Sequence, residues 1–378
     1  MMDIQSQNQI PTEAGISENR LPSLDGFRAI CICMVLGDHC IELDNFPQYM
    51  RGSWFFVSDG GLGVRFFFAI SGFIITWLLL LEASRKDIIS LKGFWARRAV
   101  RILPAYGVFI LFLMLLQWMT PWHLAPRGWL GALTFTVNYN SPGQWLPTHL
   151  WSLSVEEQFY LLWPLTFVLL KPWRCPRTAL IFLSCVVASC VVAQWIGGNH
   201  PPSRLLGGYS FLRRSDSIAF GCMGAILLFH YRSYLISLFS RNKVWMLLVM
   251  IFVITFPKIL EALRLCPPGH FAGSTAIQGV GLVLLLIWSQ LEPRHAVFRG
   301  LQFKPVVLVG TWSYSIYLWQ QVFSSKSAMF GLNHTPWWLT FPLWVIPAIA
   351  FGMASFYLIE QPVRLWFKKR KTPAVKAF

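Results

Sequence analysis

The chain has 378 residues, of which 55% are hydrophobic and only 13% are charged. A soluble domain has about 25% charged residues, so this composition excludes a soluble protein and indicates a membrane protein. The formal net charge of +16 does not indicate nucleic-acid binding, because the basic residues are spread over many short segments. Their expected partner is anionic membrane lipid.

About ten apolar stretches are long enough to cross a bilayer, which takes roughly 20 helical residues. They predict an all-α fold, a polytopic membrane bundle of about ten transmembrane helices. In chain order the stretches are residues 27–46, 62–82, 102–119, 155–171, 178–197, 216–231, 244–259, 274–290, 305–325 and 337–360.

The basic residues predict the orientation of this bundle. With the N-terminus inside, 23 of the 32 lysines and arginines fall on cytoplasmic segments, which is the bias typical of membrane proteins. Ten spans then place the C-terminus in the cytoplasm as well. Because residues 1–26 lack the basic start and cleavage site of a signal peptide, we expect a cytoplasmic tail there. A transmembrane domain over 27–367 and a basic cytoplasmic tail over 368–378 complete the predicted organisation.

The first span carries Arg28 and His39, eleven residues apart. Eleven helical steps come to within about 20° of three full turns, so both side chains share one face, about 16 Å apart along the axis. Charged and ionisable groups inside a bilayer are costly and usually functional. The pair therefore predicts a polar slot with a cationic anchor at one end and a base or nucleophile at the other.

Arg98 and Arg101 lie at the start of the third span and share a helix face. Two guanidinium groups suit a ligand rich in phosphate, because each offers a planar bidentate fork. A basic flank that contacts lipid headgroups is the alternative, and the spacing does not separate the two.

The segment between the third and fourth spans, about residues 120–150, is rich in tryptophan, with Trp122, Trp129 and Trp145. Tryptophans at this position usually anchor a protein at the membrane interface. Contact with a sugar is the alternative. The eight cysteines show no spacing typical of metal ligands, so no metal site is predicted.

The fourth span opens with His149 and then carries Glu156 and Glu157. Two carboxylates entering an apolar helix are costly unless they face a partner or water. Glu156 paired with His39 would hold the imidazole in one tautomer, the orienting role of a triad acid. The alternative is a helix N-terminus, where the helix dipole favours glutamate.

Two later clusters have mainly structural interpretations. Asp216 opens the sixth span two residues after Arg214, and Gly221 with Gly224 lets neighbouring helices approach closely. Residues 313–321 of the ninth span are rich in hydroxyl and amide groups, which favour hydrogen bonds between helices. A polar path through the bundle, lined by these groups, is the alternative.

Six motifs together resemble the acyltransferase family 3 integral membrane proteins, which include O-antigen and exopolysaccharide O-acetyltransferases. The resemblance covers nearly the whole chain in the expected order. The motifs are LDGFRAICICMVLGDH (24–39), FFFAISGFIIT (66–76), RRAVRILPAY (97–106), HLWSLSVEEQFYLLWP (149–164), SYSIYLW (313–319) and YLIEQPVR (357–364).

The resemblance implies acyl transfer from acyl-CoA, usually acetyl-CoA, to a hydroxyl group of a carbohydrate or glycolipid such as lipopolysaccharide. It places the family's Arg-x10-His motif on Arg28 and His39, and implies the inner membrane of a bacterium. It implies no permanently bound cofactor. Family members often have histidine where this chain has Gln320, and we expect no proton transfer from that amide.

The combined hypothesis is that Arg98, Arg101 and Arg28 bind the phosphates of CoA and that the thioester reaches His39. The histidine then acts as a general base or as a nucleophile, with Glu156 orienting it or delivering the acceptor. The alternative function is a transporter or flippase for a lipid-linked saccharide. The acyl group, the acceptor, the side on which the acceptor is modified and the oligomeric state are open.

Overall fold

The structure, a computed structural model, contains helices and turns and no strand in the part of the chain that it describes. This confirms the predicted all-α class. The described residues are 21–371 apart from 22, 44, 52–53, 55–57, 141–144, 200–208, 241 and 266–272. The predicted tail over residues 1–26 lies largely outside this part, as does the end of the basic tail.

In the part of the chain that the structure describes, ten long helices follow the order of the predicted stretches. They are α1 (Leu24–Cys40), α2 (Gly60–Lys86), α3 (Leu91–Met119), α4 (Leu150–Leu170), α5 (Pro176–Asn199), α6 (Asp216–His230), α7 (Lys243–Ala262), α8 (Ser274–Leu291), α9 (Lys304–Phe323) and α10 (Val345–Ser355, a π-helical turn Phe356–Glu360, and Gln361–Lys371). The short helices between them are Pro126–Thr134, Trp145–Thr148, Phe211–Arg214, Arg232–Ser240 and Ala296–Arg299, with 3-10 turns at Gln48–Met50, Gly300–Gln302, Ser327–Phe330 and Trp337–Leu339.

Among the described residues, six helices are long and apolar enough to cross a membrane. A seventh results if α6 and the helix Arg232–Ser240, which meet at 98°, form one broken span. Three long helices belong neither to the six nor to the broken span. They are α1, α4 and α9, which are shorter or more polar and carry His39, Glu156 and Gln320, respectively. The chain is therefore a multi-pass membrane bundle, while the count of ten spans and the cytoplasmic termini stay predictions.

Two helix starts differ by eight or more residues from the predicted stretches. Helix α3 begins eleven residues before residue 102, because the Ser90 hydroxyl accepts a hydrogen bond from the Gly93 amide (3.1 Å) and caps the helix there. Helix α10 begins at Val345 rather than at residue 337. Pro342 explains this delay, since a proline disfavours helical geometry in the residue before it.

Glycines allow α2 and α6 to cross at backbone distance. A Cβ atom on Gly221 would collide with the carbonyl group of Ala69, and one on Gly72 would collide with the carbonyl group of Ile218. This confirms the predicted packing role of Gly221. A larger residue at either position would push the two helices apart.

Helices α1 and α9 meet in the same way. A Cβ atom on Gly26 would collide with the backbone of Leu301, just before α9, and one on Gly310 would collide with the backbone of Asp25. These contacts lie at the first half of both helices. The close approach fixes the register of α1 against α9, and this register brings the end of α1 beside the end of α9.

The turn after α2 is tied to the turn after α4 by the carboxylate of Asp87. It accepts a hydrogen bond from the Trp173 indole (2.9 Å) and forms a salt bridge with the guanidinium of Arg174. The Trp173 hydrogen bond and the Arg174 guanidinium hold the pKa of this exposed carboxyl below its usual value. The two turns are therefore joined at the basic end of the bundle.

Candidate active site

Arg28 and His39 lie on α1 and line two different cavities inside the bundle. The arginine cavity contains Arg28 and the histidine cavity contains His39. Since the eleven-residue spacing places both side chains on one face of the helix, α1 forms a wall that the two cavities share.

The arginine cavity is narrow, with a volume of about 80 Å³. Its polar lining combines three guanidinium groups with one carboxyl group and several hydroxyl groups. These residues are Arg28, Ser71, Arg98, Arg101, Ser152, Glu156, Tyr160, Ser313, Tyr314 and Tyr317. The structure thus brings together the three arginines that the sequence predicted as one phosphate-binding group.

Aromatic rings and hydroxyl groups hold the charged side chains of this cavity in place. The guanidinium of Arg98 lies 5.1 Å from the centre of the Tyr160 ring and 5.8 Å from that of Phe94, a cation–π arrangement. The carboxylate of Glu156 accepts a hydrogen bond from Ser71 (2.7 Å).

A surface pocket of about 250 Å³ adjoins the arginine cavity, because Arg98 and Arg101 line both. It adds Arg97, which is paired with Glu82 at 3.1 Å, and Arg364 from the end of α10. Four guanidinium groups therefore surround the opening at this end of the bundle.

The histidine cavity is the largest of the three, at about 480 Å³, a size typical of small-molecule sites. Three arginines are balanced by three carboxylates along its wall. These charged residues are Asp38, Glu42, Arg65, Arg213, Arg214 and Asp216, and the aromatic ones include Trp145, Trp151, Tyr209 and Tyr317. Asp216 accepts hydrogen bonds from Thr275 and from Gln194 (3.3 Å), which ties the start of α6 to α5 and α8.

Val64, Phe68 and Tyr317 line both the arginine cavity and the histidine cavity. The two cavities therefore lie end to end, with these three side chains at their junction. The Tyr317 hydroxyl donates to the carbonyl oxygen of His149 (3.0 Å) and lies 2.5 Å from the Ser152 hydroxyl. Arg28, the junction and His39 thus follow one another through the bundle.

The predicted contact between Glu156 and His39 is wrong. Nδ1 of His39 lies 2.6 Å from Oε1 of Gln320, while Glu156 bonds Ser71 on the other side of the junction. The physical reason is depth along α4. Glu156 follows His149 by seven residues, which is about 10 Å of helix, so it lies nearer the level of Arg28 than that of His39.

Sequence reasoning also missed several residues that the structure brings into the cavities. Ser71 is a single hydroxyl in an apolar span and gave no specific signal of its own. Tyr317 and Gln320 belong to the polar cluster 313–321, which predicted hydrogen bonds between helices, but their partners were not predicted, and Gln320 is the partner of His39. Arg65, a cation within the second predicted span, is the signal that would have indicated the histidine cavity.

No group of three or more His, Cys, Asp or Glu side chains in the described residues is arranged to bind a metal ion. The groups available for a ligand are the guanidiniums at one end of the passage and the imidazole with its aromatic neighbours at the other. The first suit a phosphate-rich molecule. The second suit a molecule with hydroxyl groups and an apolar face.

Comparisons with known proteins agree with these features. The family model for the acyltransferase domain matches residues 21–374. The chain is 28% identical to the peptidoglycan O-acetyltransferase OatA of Listeria monocytogenes, over 92% of this chain and 56% of that protein. It is 27% identical to the O-acetyltransferase OatA of Staphylococcus aureus, over 92% of this chain and 58% of that protein. The chain thus spans a little over half the length of these relatives. No solved structure matches it.

Proposed function

The chain belongs to the acyltransferase family that its motifs predicted, and from this premise we propose that it is a membrane O-acyltransferase. It moves an acetyl group from acetyl-CoA to a hydroxyl group of a carbohydrate such as a cell-surface polysaccharide. One observation carries this proposal. Two cavities lie end to end between a cluster of arginines and His39, which is the arrangement that a two-substrate transfer needs.

The donor binds at the arginine end. The surface pocket offers Arg98 and Arg101 to the phosphates of CoA, beside Arg97 and Arg364, which pair with Glu82 and Glu360. Charged bidentate hydrogen bonds are the strongest that proteins offer to phosphate. The narrow arginine cavity suits the thin pantetheine arm. The 16 Å of helix between Arg28 and His39 is of the same order as the length of that arm, so the thioester reaches the junction while the phosphates stay outside.

Glu156 belongs to the donor side of this scheme. Its carboxylate lines the arginine cavity, where it accepts hydrogen bonds from the amide N–H groups of pantetheine and balances part of the arginine charge. This role replaces the one predicted from sequence, in which Glu156 oriented His39.

The acceptor enters through the histidine cavity. Among the described residues, its wall has equal numbers of guanidinium and carboxylate groups beside aromatic rings, which suits a ligand whose hydroxyl groups both donate and accept. A phosphate or other strong anion would occupy the arginines and leave the carboxylates without positively charged partners. A sugar unit fits this chemistry.

His39 carries the reaction on the acceptor side of the junction, since it lines the histidine cavity. In one route it takes the proton of the acceptor hydroxyl while that oxygen bonds the acyl carbon and the carbon–sulfur bond breaks. In the other, an imidazole nitrogen first bonds the acyl carbon as the carbon–sulfur bond breaks and the CoA thiolate leaves. The acceptor oxygen then bonds the acyl carbon as the carbon–nitrogen bond breaks, which frees the imidazole. In both routes the hydroxyl proton ends on the CoA thiolate, so the products are an ester and free CoA.

The orientation follows from the basic residues. The arginine end faces the cytoplasm, where acyl-CoA is available, because basic flanking residues favour that side. The histidine cavity then opens toward the opposite side of the cytoplasmic membrane of a bacterium, and the acceptor is modified there. This places the two substrates on opposite sides of one membrane.

Transfer of an acetyl label tests the function directly. Membranes containing the chain are supplied with acetyl-CoA labelled in the acetyl group, and carbohydrate and lipid fractions are then counted before and after mild alkali. We expect label in the carbohydrate fraction that alkali releases as acetate. Absence of transfer from any acyl-CoA, together with movement of a lipid-linked saccharide across the membrane, would favour the transporter alternative.

Val64→Trp should block the passage between the cavities and lower acetyl transfer by about 10²-fold, because the larger side chain fills the junction. Binding of acetyl-CoA to the purified protein, measured by calorimetry, should persist because the arginines are unchanged. Val108→Trp, at an exposed position on α3, is the matched control. Full transfer by Val64→Trp would show that the acyl group does not pass this point.

A further inference from the structure

The side chain of Gln320 faces the imidazole of His39 across the contact between α1 and α9. Oε1 of Gln320 lies 2.6 Å from Nδ1 of His39, and Gln320 is fully buried. The residues are 281 positions apart in the chain, so the contact depends on the close packing of the two helices. The glycine contacts at the other end of this helix pair hold that register.

The chemistry of an amide determines where the proton of this imidazole lies. A carbonyl oxygen only accepts hydrogen bonds, so Nδ1 must carry the proton that it donates to Gln320. A neutral imidazole has one N–H group and one lone pair. The lone pair of His39 is therefore on Nε2.

A second contact restricts rotation of the ring. The Trp145 ring packs edge-on against His39, with 5.0 Å between ring centres and 68° between planes. Trp145 and His39 both line the histidine cavity. The imidazole is thus held by a hydrogen bond at Nδ1 and by contact with an aromatic ring.

We propose that Gln320 is a positioning residue that keeps His39 in the Nδ1–H tautomer and leaves Nε2 as the reacting atom. The inference rests on the proposed function, in which His39 is the base or nucleophile. Gln320 takes the place that a carboxylate has in a catalytic triad, but it contributes no charge and takes up no proton. It therefore sets the tautomer alone.

The tautomer is measurable without any acceptor substrate. Nitrogen-15 spectra of protein labelled in its histidines, recorded in lipid bilayers, distinguish protonated from unprotonated imidazole nitrogens, and His39→Asn identifies the His39 signals. We expect a protonated Nδ1 and an unprotonated Nε2 on His39. In Gln320→Met, which has a similar volume and no acceptor oxygen, the proton should spread to Nε2.

Kinetics give the second readout. Gln320→Met should lower kcat at least about tenfold, the equivalent of one buried hydrogen bond, with little change in the KM for acetyl-CoA. Gln320→Glu, which keeps an acceptor oxygen at the same reach, should restore the Nδ1 proton and most of the rate. Gln278→Met is the matched control, because Gln278 is also buried and bonds one carbonyl, Ile254 (3.1 Å), away from both cavities.

The outcomes separate this inference from the proposed function. If His39 carries its proton on Nε2 in the unaltered protein, or if Gln320→Met keeps its full kcat, the role of Gln320 is overturned. If His39→Ala transfers acetyl groups normally, the proposed role of His39 in the reaction is rejected, independently of which nitrogen carries the proton.

Discussion

His39→Ala should lower acetyl transfer by at least about 10³-fold, because it removes the group that takes up the acceptor proton or bonds the acyl carbon. His39 lines the larger cavity, which we assign to the acceptor and which meets the arginine cavity at the junction. His149 lines the same cavity, and its ring is also held from α9, with Nε2 3.0 Å from the carbonyl oxygen of Leu318. Label transfer from acetyl-CoA in membranes measures the effect.

The control for this variant is His334→Ala, at an exposed position outside the long helices. It should transfer acetyl groups at the normal rate. His39→Ala protein should also elute as a single species and keep its binding of acetyl-CoA, since the arginines of the donor side are unchanged. Near-normal turnover in His39→Ala would remove this histidine from the reaction.

Features that depend on one helix were predictable from the sequence. The Arg28 and His39 spacing could be converted into a shared face and a separation because both residues lie on one helix, α1, and the geometry of an α-helix is local and regular. The pairing of Arg98 with Arg101 followed from the same rule. The order of the long helices also matched the apolar stretches, since burial in a bilayer depends on composition over about 20 residues.

Features that depend on two helices were not predictable in the same way. The partner of His39 is decided by the register between α1 and α9, which the backbone contacts of Gly26 and Gly310 fix. The position of Glu156 along the bundle axis could nonetheless be inferred from the sequence. Counting seven residues, or about 10 Å, from the start of α4 separates this carboxyl from His39 and places it with the arginines.

The largest effect on donor binding should come from Arg98→Ala combined with Arg101→Ala. Each arginine lines both the surface pocket and the arginine cavity, so the pair controls the opening through which CoA must enter. A hydrogen bond to a charged group contributes about 1.5–3 kcal/mol. Losing two should raise the KM for acetyl-CoA by about 10²-fold or more, with kcat at saturating donor much less affected.

The lysine variants distinguish charge from shape. Arg98→Lys with Arg101→Lys keeps both charges but loses the bidentate fork and the stacking of Arg98 on Tyr160, so its KM should lie between those of the alanine variant and the unaltered protein. Arg174→Ala is the control, since Arg174 is exposed on the same end of the bundle and pairs with Asp87. An unchanged KM in the alanine variant, under conditions where donor binding limits the rate, would assign these arginines to lipid headgroups. The donor would then have to enter by another route, because Arg98 and Arg101 line both the surface pocket and the arginine cavity that it adjoins.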